Sequence, residues 1–292
     1  MYNLNLAGTG VAIITPFLKN NGVDYAALSN LVKHVVKNGV NYIVVLGTTG
    51  ESVVLSADEK HAVIKTIHTA MPKKVPLILG VGGNHTTEVV NQLKLVDATL
   101  IDGILSVTPY YNKPTQNGLY QHYKTIAAAT SLPIIIYNVP GRTGVNMTAS
   151  TQLALANDVK NIVATKEASG NVEQIMSIIN QKPKNFSVIS GDDVLTLPLM
   201  ACGAIGVISV SANAYPAEVS KMVNLCLQGK FEAAQKLHYR LMPITQMMFA
   251  EGSPAGVKEI LQHKNLCTNK VRLPLVNVSK QLSKNFTKYL DV

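Results

Sequence analysis

The 292-residue sequence has no tryptophan, only three cysteines and few charged residues. Charged side chains make up 15% of the chain, against about 25% in an ordinary soluble domain. No apolar run approaches the roughly 18 residues of a transmembrane helix, so a membrane protein is excluded. The first residues lack a basic segment followed by an apolar one, which argues against a secretory signal. Hydrophobic residues make up 47% of the chain, and this abundance excludes a disordered protein.

The cysteines are odd in number, far apart in the sequence and outside any CxxC pattern; they are Cys202, Cys226 and Cys267. Such cysteines are typical of reduced thiols in an intracellular protein, so we expect a cytoplasmic location. A nucleophilic cysteine is the less favoured alternative, because nothing in the sequence places a histidine beside one of them.

The net charge of +9 is concentrated near the C-terminus. Residues 221–292 hold 11 Lys and Arg against 4 Asp and Glu, whereas residues 1–220 hold 15 against 13. A basic region can bind nucleic acid. These lysines, however, are scattered singly through segments of helical pattern, without aromatic residues interleaved with arginine. Solvated helix faces are the favoured interpretation, and we expect no nucleic-acid partner and no membrane partner.

Short runs rich in valine and isoleucine recur along the chain, separated by longer segments of helical periodicity. Their spacing is roughly the 30 residues of one βα unit, and they are apolar on both faces, as buried parallel strands are. Eight such runs predict an α/β fold, a (β/α)8 TIM barrel. A doubly wound open sheet is the competing architecture, although no Gly-rich dinucleotide loop follows the first run. The predicted strands are Thr9–Thr15, Tyr42–Leu46, Pro76–Val81, Gly103–Val107, Ile134–Tyr137, Ile162–Lys166, Ser187–Ser190 and Gly206–Val210.

Helix signals lie between these runs and continue beyond the last one. Ser56–Glu59 reads as a capping box that opens a helix ending near Ala70. After the eighth run the pattern is helical only, over Phe231–Phe249, Pro254–His263 and Ser279–Leu290. The sequence therefore predicts two parts, a catalytic barrel domain of residues 1–229 and a C-terminal helical appendage of residues 230–292.

The active site of such a barrel lies at the carboxyl ends of its strands, where Lys166 ends an apolar run. Burial disfavours the charged form of a lysine, and a neutral amine can attack a ketone or aldehyde to form a Schiff base. A lysine that reaches solvent from a strand edge, or that pairs with a carboxylate, is the alternative from position alone. We do not expect Glu167 to be a direct partner, because alternation along a strand points it away from Lys166.

Schiff-base chemistry needs groups that donate and accept protons, and the strand ends supply tyrosines rather than histidines. Tyr137 ends the strand next to that of Lys166, and Tyr110 and Tyr111 follow the fourth strand. Packing is the usual role of a buried tyrosine, but three at one end of a barrel weaken that interpretation. The absence of histidine beside Asp192 and Asp193 argues against a metal-dependent aldolase, so we expect no catalytic metal.

Two features of the strand ends suit a small carboxylate. The segment Gly47–Glu51 combines two threonine hydroxyls with backbone N–H groups between glycines, an arrangement that can bind anions. Arg142 follows Tyr137 across a Pro-Gly turn, and its planar guanidinium can hold a carboxylate through two hydrogen bonds. An ordinary Gly/Thr turn and a surface arginine are the respective alternatives.

Together these residues resemble the dihydrodipicolinate synthase branch of the pyruvate-dependent Schiff-base aldolase family, which also includes N-acetylneuraminate lyase. The resemblance extends from about Gly8 to Pro274. The double threonine, the double tyrosine and the arginine after Tyr137 favour the synthase branch. Its five motifs are Gly47–Ser52, Thr108–Pro114, Tyr137–Thr143, Lys166–Gly170 and Gly206–Val210.

The resemblance implies a lyase of lysine and diaminopimelate biosynthesis that condenses pyruvate with L-aspartate 4-semialdehyde and needs no cofactor. Lys166 would form the imine with pyruvate, and Tyr137 would be the proton donor and acceptor. Thr48 would link Tyr137 to Tyr111 in a hydroxyl relay. In the family, the tyrosine at position 111 reaches into a neighbouring subunit, so the resemblance implies a homo-oligomer. We expect a homotetramer, with a dimer as the alternative.

The remaining site residues are also assigned by the resemblance. Thr49 would hold the carboxylate of pyruvate, in a pocket lined by Gly191 and Ile208. Arg142 would hold the carboxylate of aspartate semialdehyde. The competing substrate is a keto-sugar acid, which needs hydroxyl donors for a polyol where this chain offers an arginine.

Four residues match the family's allosteric lysine pocket, namely Ser52, Asn84, Glu88 and Tyr110. Family members inhibited by lysine often carry His or Trp at the position of Ala57 and His at that of Lys60. A second cation at Lys60 would disfavour a cationic effector. We therefore hypothesise weak feedback by lysine; strong inhibition at low lysine concentration in a titration would refute the hypothesis.

Overall fold

A computed structural model describes residues 4–290 and closes eight parallel strands into one barrel in chain order. The predicted (β/α)8 barrel is thereby confirmed, and the open-sheet alternative is wrong. All eight predicted runs form strands, with ends that differ from the prediction by at most three residues. The strands are β1 Gly8–Ala12, β2 Tyr42–Val45, β3 Leu77–Gly80, β4 Gly103–Val107, β5 Ile134–Asn138, β6 Ile162–Glu167, β7 Ser187–Ser190 and β8 Gly206–Ser209.

Helices follow the strands and continue after the last of them. The predicted capping box is present, because Ser56 Oγ accepts from Glu59 N and Glu59 Oε2 accepts from Ser56 N. In the described part of the chain, no helix is long and apolar enough to cross a membrane. The helices are α1 Tyr25–Lys37, α2 Ala57–Ala70, α3 Thr86–Lys94, α4 Gln116–Ala128, α5 Pro140–Thr143, α6 Ala149–Asp158, α7 Val172–Gln181, α8 Thr196–Ala201, α9 Pro216–Leu227, α10 Phe231–Phe249, α11 Ala255–His263 and α12 Lys280–Leu290.

The first strand ends earlier than predicted, at Ala12 rather than Thr15. The N–H of Ile14 donates to the side-chain oxygen of Asn213 at 3.1 Å instead of to a neighbouring strand. The amide nitrogen of Asn213 in turn donates to the carbonyl of Ala12 at 2.9 Å. A side-chain amide therefore replaces the strand ladder at this point, which apolar periodicity does not indicate.

The chain divides into two compact units. One unit comprises Pro76–Ile208 together with residues 4–7. Its strands from β3 to β7 pair with their sequence neighbours in parallel register. The other unit comprises Gly8–Val75 together with residues 209–290, and within it β1 pairs with β2.

The pairing of β5 with β6 contains an irregularity that decides which side chains share a face. Ile134 pairs with Ile162, and immediately afterwards the register shifts by one residue. Without the shift Tyr137 would pair with Thr165; with it, Tyr137 pairs with Lys166. Because side chains of paired residues point to the same face of a sheet, and successive ones to opposite faces, the shift places Tyr137 and Lys166 on one face.

His122 on α4 makes the stability of this fold depend on pH. Its Nδ1 lies 2.9 Å from the hydroxyl oxygen of Thr86, and burial lowers its pKa to about 4. Between pH 6.5 and pH 4, His122 is protonated in the unfolded chain but stays neutral in the folded protein. The group therefore costs stability as the pH falls from 6.5 towards 4, by about 3 kcal/mol at the lower end.

We expect His122→Gln to remove this part of the pH dependence. Urea unfolding at pH 7 and at pH 4.5 measures it, with His61→Gln, an exposed position on α2, as the matched control. Burial also lowers the pKa of His34 and of His238, so all three proteins keep a residual dependence of stability on pH. Equal loss of stability in all three proteins between the two pH values would contradict the assignment to His122.

Candidate active site

Lys166 and Tyr137 lie side by side at the carboxyl ends of β6 and β5. The lysine is 5% exposed and the tyrosine 8%. Lys166 Nζ lies 4.1 Å from the centre of the Tyr137 ring. Within residues 4–290, no carboxylate forms an ion pair with this lysine. The arrangement holds a buried amine against a phenol, which suits a nucleophile assisted by a proton donor and acceptor.

Gly191, directly after β7, leaves room for the side chain of Lys166. A Cβ added at this glycine would lie 3.0 Å from Lys166 Cε and 2.7 Å from the Cβ of Ala168. Its N–H donates to the carbonyl of Glu167 at 2.7 Å, which fixes the close approach. A larger residue here would push on the lysine. Ile208, the other residue expected to line the pocket, is buried on β8.

Glu167 points away from Lys166, as strand alternation predicts, and is completely buried. Its carboxylate accepts from the amide nitrogens of Asn138 at 2.9 Å and Gln152 at 2.5 Å. The hydroxyl of Ser169 donates to it at 2.6 Å and Gln174 Nε2 at 3.3 Å. Because Asn138 and Glu167 are paired neighbours of Tyr137 and Lys166, these bonds tie β5 to β6 beside the two candidate catalytic residues.

We expect Glu167→Gln to lower the free energy of unfolding by about 2 kcal/mol, because an amide donor would then face other amide donors without an acceptor. Urea denaturation measures the loss. Glu173→Gln is the matched control, since Glu173 is exposed on α7. Equal stability of the two variants would show that the carboxylate is not needed to join these strand ends.

In the other unit, the predicted carboxylate-binding segment forms a short 3-10 turn over Thr48–Gly50. The N–H of Gly50 donates to the carbonyl of Gly47 at 3.0 Å and is used within the turn. Within residues 4–290, the N–H groups of Thr48 and Thr49 at the start of the turn donate to no backbone carbonyl. Thr49 is buried, whereas Thr48 is exposed. The turn can therefore offer two N–H groups and a hydroxyl to an anion.

Comparison with known proteins agrees with the motifs. Residues 5–292 match the dihydrodipicolinate synthetase family. The chain belongs to this family. The 4-hydroxy-tetrahydrodipicolinate synthase of Flavobacterium psychrophilum is 53% identical, over 97% of this chain and 98% of that protein. The enzyme of the same name from Parabacteroides distasonis is 52% identical, over 94% of this chain and 93% of its own. The crystal structure of dihydrodipicolinate synthase from Aquifex aeolicus superposes with a TM-score of 0.94 at 42% identity, covering 98% of this chain and 97% of that one.

The family, the barrel and the lyase activity that the sequence predicts are therefore confirmed. Within the family, Arg142 and Tyr111 are the residues expected to complete the site. The structure leaves both exposed: Arg142 lies on the short helix α5, and Tyr111 is 87% exposed. Tyr111 also has φ +72°, a left-handed conformation that is costly for an aromatic residue. Its ring is thus presented outward rather than packed against its own chain.

The residues that match the family's allosteric pocket lie at or near the surface. Asn84 and Glu88 are exposed, Ser52 is half-buried and Tyr110 is 38% exposed. The carbonyl of Asn84 accepts a hydrogen bond from the side chain of Asn112 at 3.4 Å, which joins two of these loops. Of the two positions at which this chain departs from the lysine-inhibited pattern, Ala57 is exposed and Lys60 is half-buried, both on α2.

The cysteines are free thiols in the structure. Burial raises the pKa of Cys226, and it raises that of Cys267 to about 11. Thiols with raised pKa values are poor nucleophiles. The alternative of a catalytic cysteine is therefore not supported for these two residues.

Several residues around the candidate site were not predicted from the sequence. Asn138, Gln152 and Gln174 surround Glu167, and an amide in a helical or strand pattern gives no sign of such a cluster. Lys258 on α11, which forms a buried ion pair with Glu51, was not predicted either, although the sequence pattern could have indicated it. It shares a helix face with the apolar Leu261 at a spacing of three residues, so a charge interrupts the buried stripe of α11.

Proposed function

We propose that this protein condenses pyruvate with L-aspartate 4-semialdehyde through a Schiff base on Lys166, giving 4-hydroxy-tetrahydrodipicolinate for lysine and diaminopimelate biosynthesis. The observation that carries the residue assignment is the buried Lys166 amine over the Tyr137 ring. A buried amine is the nucleophile that imine formation requires, and the adjacent phenol can move protons.

The proposed reaction begins with attack of Lys166 Nζ on the ketone carbon of pyruvate. Tyr137 donates the proton with which the carbinolamine oxygen leaves as water. Loss of a methyl proton converts the imine to an enamine, and the enamine carbon attacks the aldehyde, whose oxygen takes a proton and becomes a hydroxyl. The amine of the second substrate then attacks the imine carbon and displaces Lys166 as the ring closes. One water is released overall and the enzyme is regenerated, so the balance needs no cofactor.

The other roles follow the family motifs residue by residue. Thr48 and Tyr111 extend the proton relay from Tyr137, and Thr49 holds the carboxylate of pyruvate, beside Gly191 and Ile208. Arg142 holds the carboxylate of aspartate semialdehyde, and its exposed guanidinium supports this role because the second substrate has to enter from solvent. We place the reaction in the cytoplasm, where the three free thiols stay reduced. In this proposal residues 1–229 are the catalytic domain and residues 230–292 are an appendage to it.

We also propose that the protein works as a homotetramer, with a dimer as the alternative. The support is Tyr111, a large ring held outward by a left-handed backbone and exposed at 87%. Such a residue suits insertion into a second copy of the chain. Sedimentation velocity at assay concentrations tests this assembly, and an active monomer would contradict it.

Reduction with sodium borohydride in the presence of pyruvate tests the mechanism. The imine should be reduced to a stable secondary amine, and peptide mass spectrometry should find a carboxyethyl group on Lys166. Omitting either pyruvate or borohydride provides the control. An adduct on another residue, or no adduct, would refute the proposed chemistry.

A further inference from the structure

The 3-10 turn that carries Thr48 and Thr49 is followed by a residue in an unfavourable backbone conformation. Glu51 has φ +52° and ψ +36°, in the left-handed region. A residue other than glycine rarely adopts this conformation, and it persists only where surrounding contacts hold it. Glu51 is also buried, with its side chain 1% exposed. The contacts of its carboxylate therefore help to hold the turn before it, beside the hydrogen bond from the Thr15 hydroxyl to the carbonyl of Gly50 at 2.7 Å.

Among the described residues, the hydrogen bonds to that carboxylate come from the C-terminal part of the chain. Lys258 on α11 donates from Nζ to Glu51 Oε1 at 2.5 Å, and the backbone N–H of Arg272 donates to Oε2 at 3.1 Å. Lys258 also donates to the carbonyl of Lys270 at 2.9 Å, and its side chain is 0% exposed. Both charges are thus paired, hydrogen-bonded and shielded from solvent.

The same C-terminal segment holds the chain on the other side of Glu51. Arg272 donates to the carbonyl of Val54 at 2.8 Å and forms a two-point ion pair with Glu59. Lys258 Nζ and Arg272 Cζ lie 4.1 Å and 4.4 Å from the centre of the Phe17 ring, so one ring contacts both cations. The residues that follow the turn therefore make several contacts with one segment that is distant in the sequence, from Lys258 to Arg272.

We propose that Lys258 and Glu51 are positioning residues that hold the Thr48–Gly50 turn so that its N–H groups bind the carboxylate of pyruvate. This inference rests on the proposed function. A buried ion pair contributes little net stability compared with an apolar pair of similar size. A buried ion pair does fix the orientation of the two side chains that it joins. Here one of them belongs to Glu51, the residue that ends the turn. The C-terminal helices would then support substrate binding without touching the substrate.

The test compares Lys258→Met with the wild-type protein in steady-state kinetics. The methionine fills the space but leaves the carboxylate of Glu51 buried without its cation, so Glu51 should turn outward and the turn should move. We expect the KM for pyruvate to rise by about tenfold or more, while the KM for the aldehyde stays within about twofold. At saturating pyruvate, borohydride should still label Lys166.

Three controls separate positioning from stability. Lys284→Met, an exposed lysine on α12, should leave both KM values unchanged. Leu282→Ala, a buried residue of the same helix, should lower Tm without raising the KM for pyruvate, when assayed well below its Tm. In the double variant Lys258→Met/Glu51→Met, two apolar side chains should restore Tm in part, while the KM for pyruvate stays high.

Each outcome decides the inference. If Lys258→Met does not fold, Glu51→Gln replaces it, because it keeps the size of the side chain and removes the charge. A folded variant with a normal KM for pyruvate would overturn the inference, and so would recovery of KM together with Tm in the double variant. Failure of borohydride to label Lys166 in the wild-type protein would instead refute the proposed function.

Discussion

Lys166→Arg is expected to lower kcat by at least about a thousandfold and to abolish the borohydride-dependent adduct with pyruvate. Arginine has a side chain of similar length, but its guanidinium stays protonated in proteins and cannot form the imine. Lys166 is buried against Tyr137, and it forms no ion pair with a carboxylate of the described residues. The loss of activity is therefore expected from the missing nucleophile and not from a broken ion pair.

Lys160→Arg is the matched control, since Lys160 is an exposed lysine just before the same strand. It should keep full activity and full labelling. Steady-state assay and peptide mass spectrometry of both variants and the wild-type protein give the comparison. Substantial turnover by Lys166→Arg, with a pyruvate adduct on another lysine, would show that the nucleophile has been misassigned.

Tyr137→Phe is expected to lower kcat by about a hundredfold to ten-thousandfold, the range that general acid–base catalysis contributes. The substitution keeps the aromatic ring that lies 4.1 Å from Lys166 Nζ and removes only the hydroxyl. Carbinolamine dehydration and enamine formation then lose their proton donor and acceptor. Trapping at Lys166 should still occur but more slowly, because the amine itself is intact.

Tyr120→Phe controls for loss of a hydroxyl elsewhere. Tyr120 lies on α4 and donates to Asp158 at 2.8 Å, away from the strand ends. The control should retain normal kcat, and thermal unfolding should show both variants folded. Near-normal turnover by Tyr137→Phe would remove this tyrosine from the proton relay and return it to a packing role.

The strands, most helices and the central pair of residues could be predicted because their signals are local. Buried parallel strands are apolar on both faces, so each appears as a short run whatever the rest of the chain does. The capping box at Ser56 is decided within four residues. A lysine at the end of such a run is conspicuous, which is why Lys166 was found without the structure. Alternation along the strand also gave the direction of Glu167 correctly.

The neighbours of these residues could not be predicted, because they depend on contacts between distant segments. The amide cluster around Glu167 draws on a strand and two helices, and none of its members differs in pattern from an ordinary surface amide. The early end of β1 depends on Asn213, about 200 residues later in the chain. Likewise the pairing of Glu51 with Lys258 joins residues 207 positions apart.

For this protein, local pattern predicted the barrel and singled out Lys166 and Tyr137, and the resemblance carried by the motifs implied their roles as chemical partners. Only the folded chain decided that their side chains lie on the same face of the sheet. The extra residue of β6 after the Ile134–Ile162 pair turns Lys166 to the face of Tyr137, and a slip of one residue would turn it to the opposite face. No periodicity in the sequence encodes that shift, because it arises from how two strands meet in three dimensions.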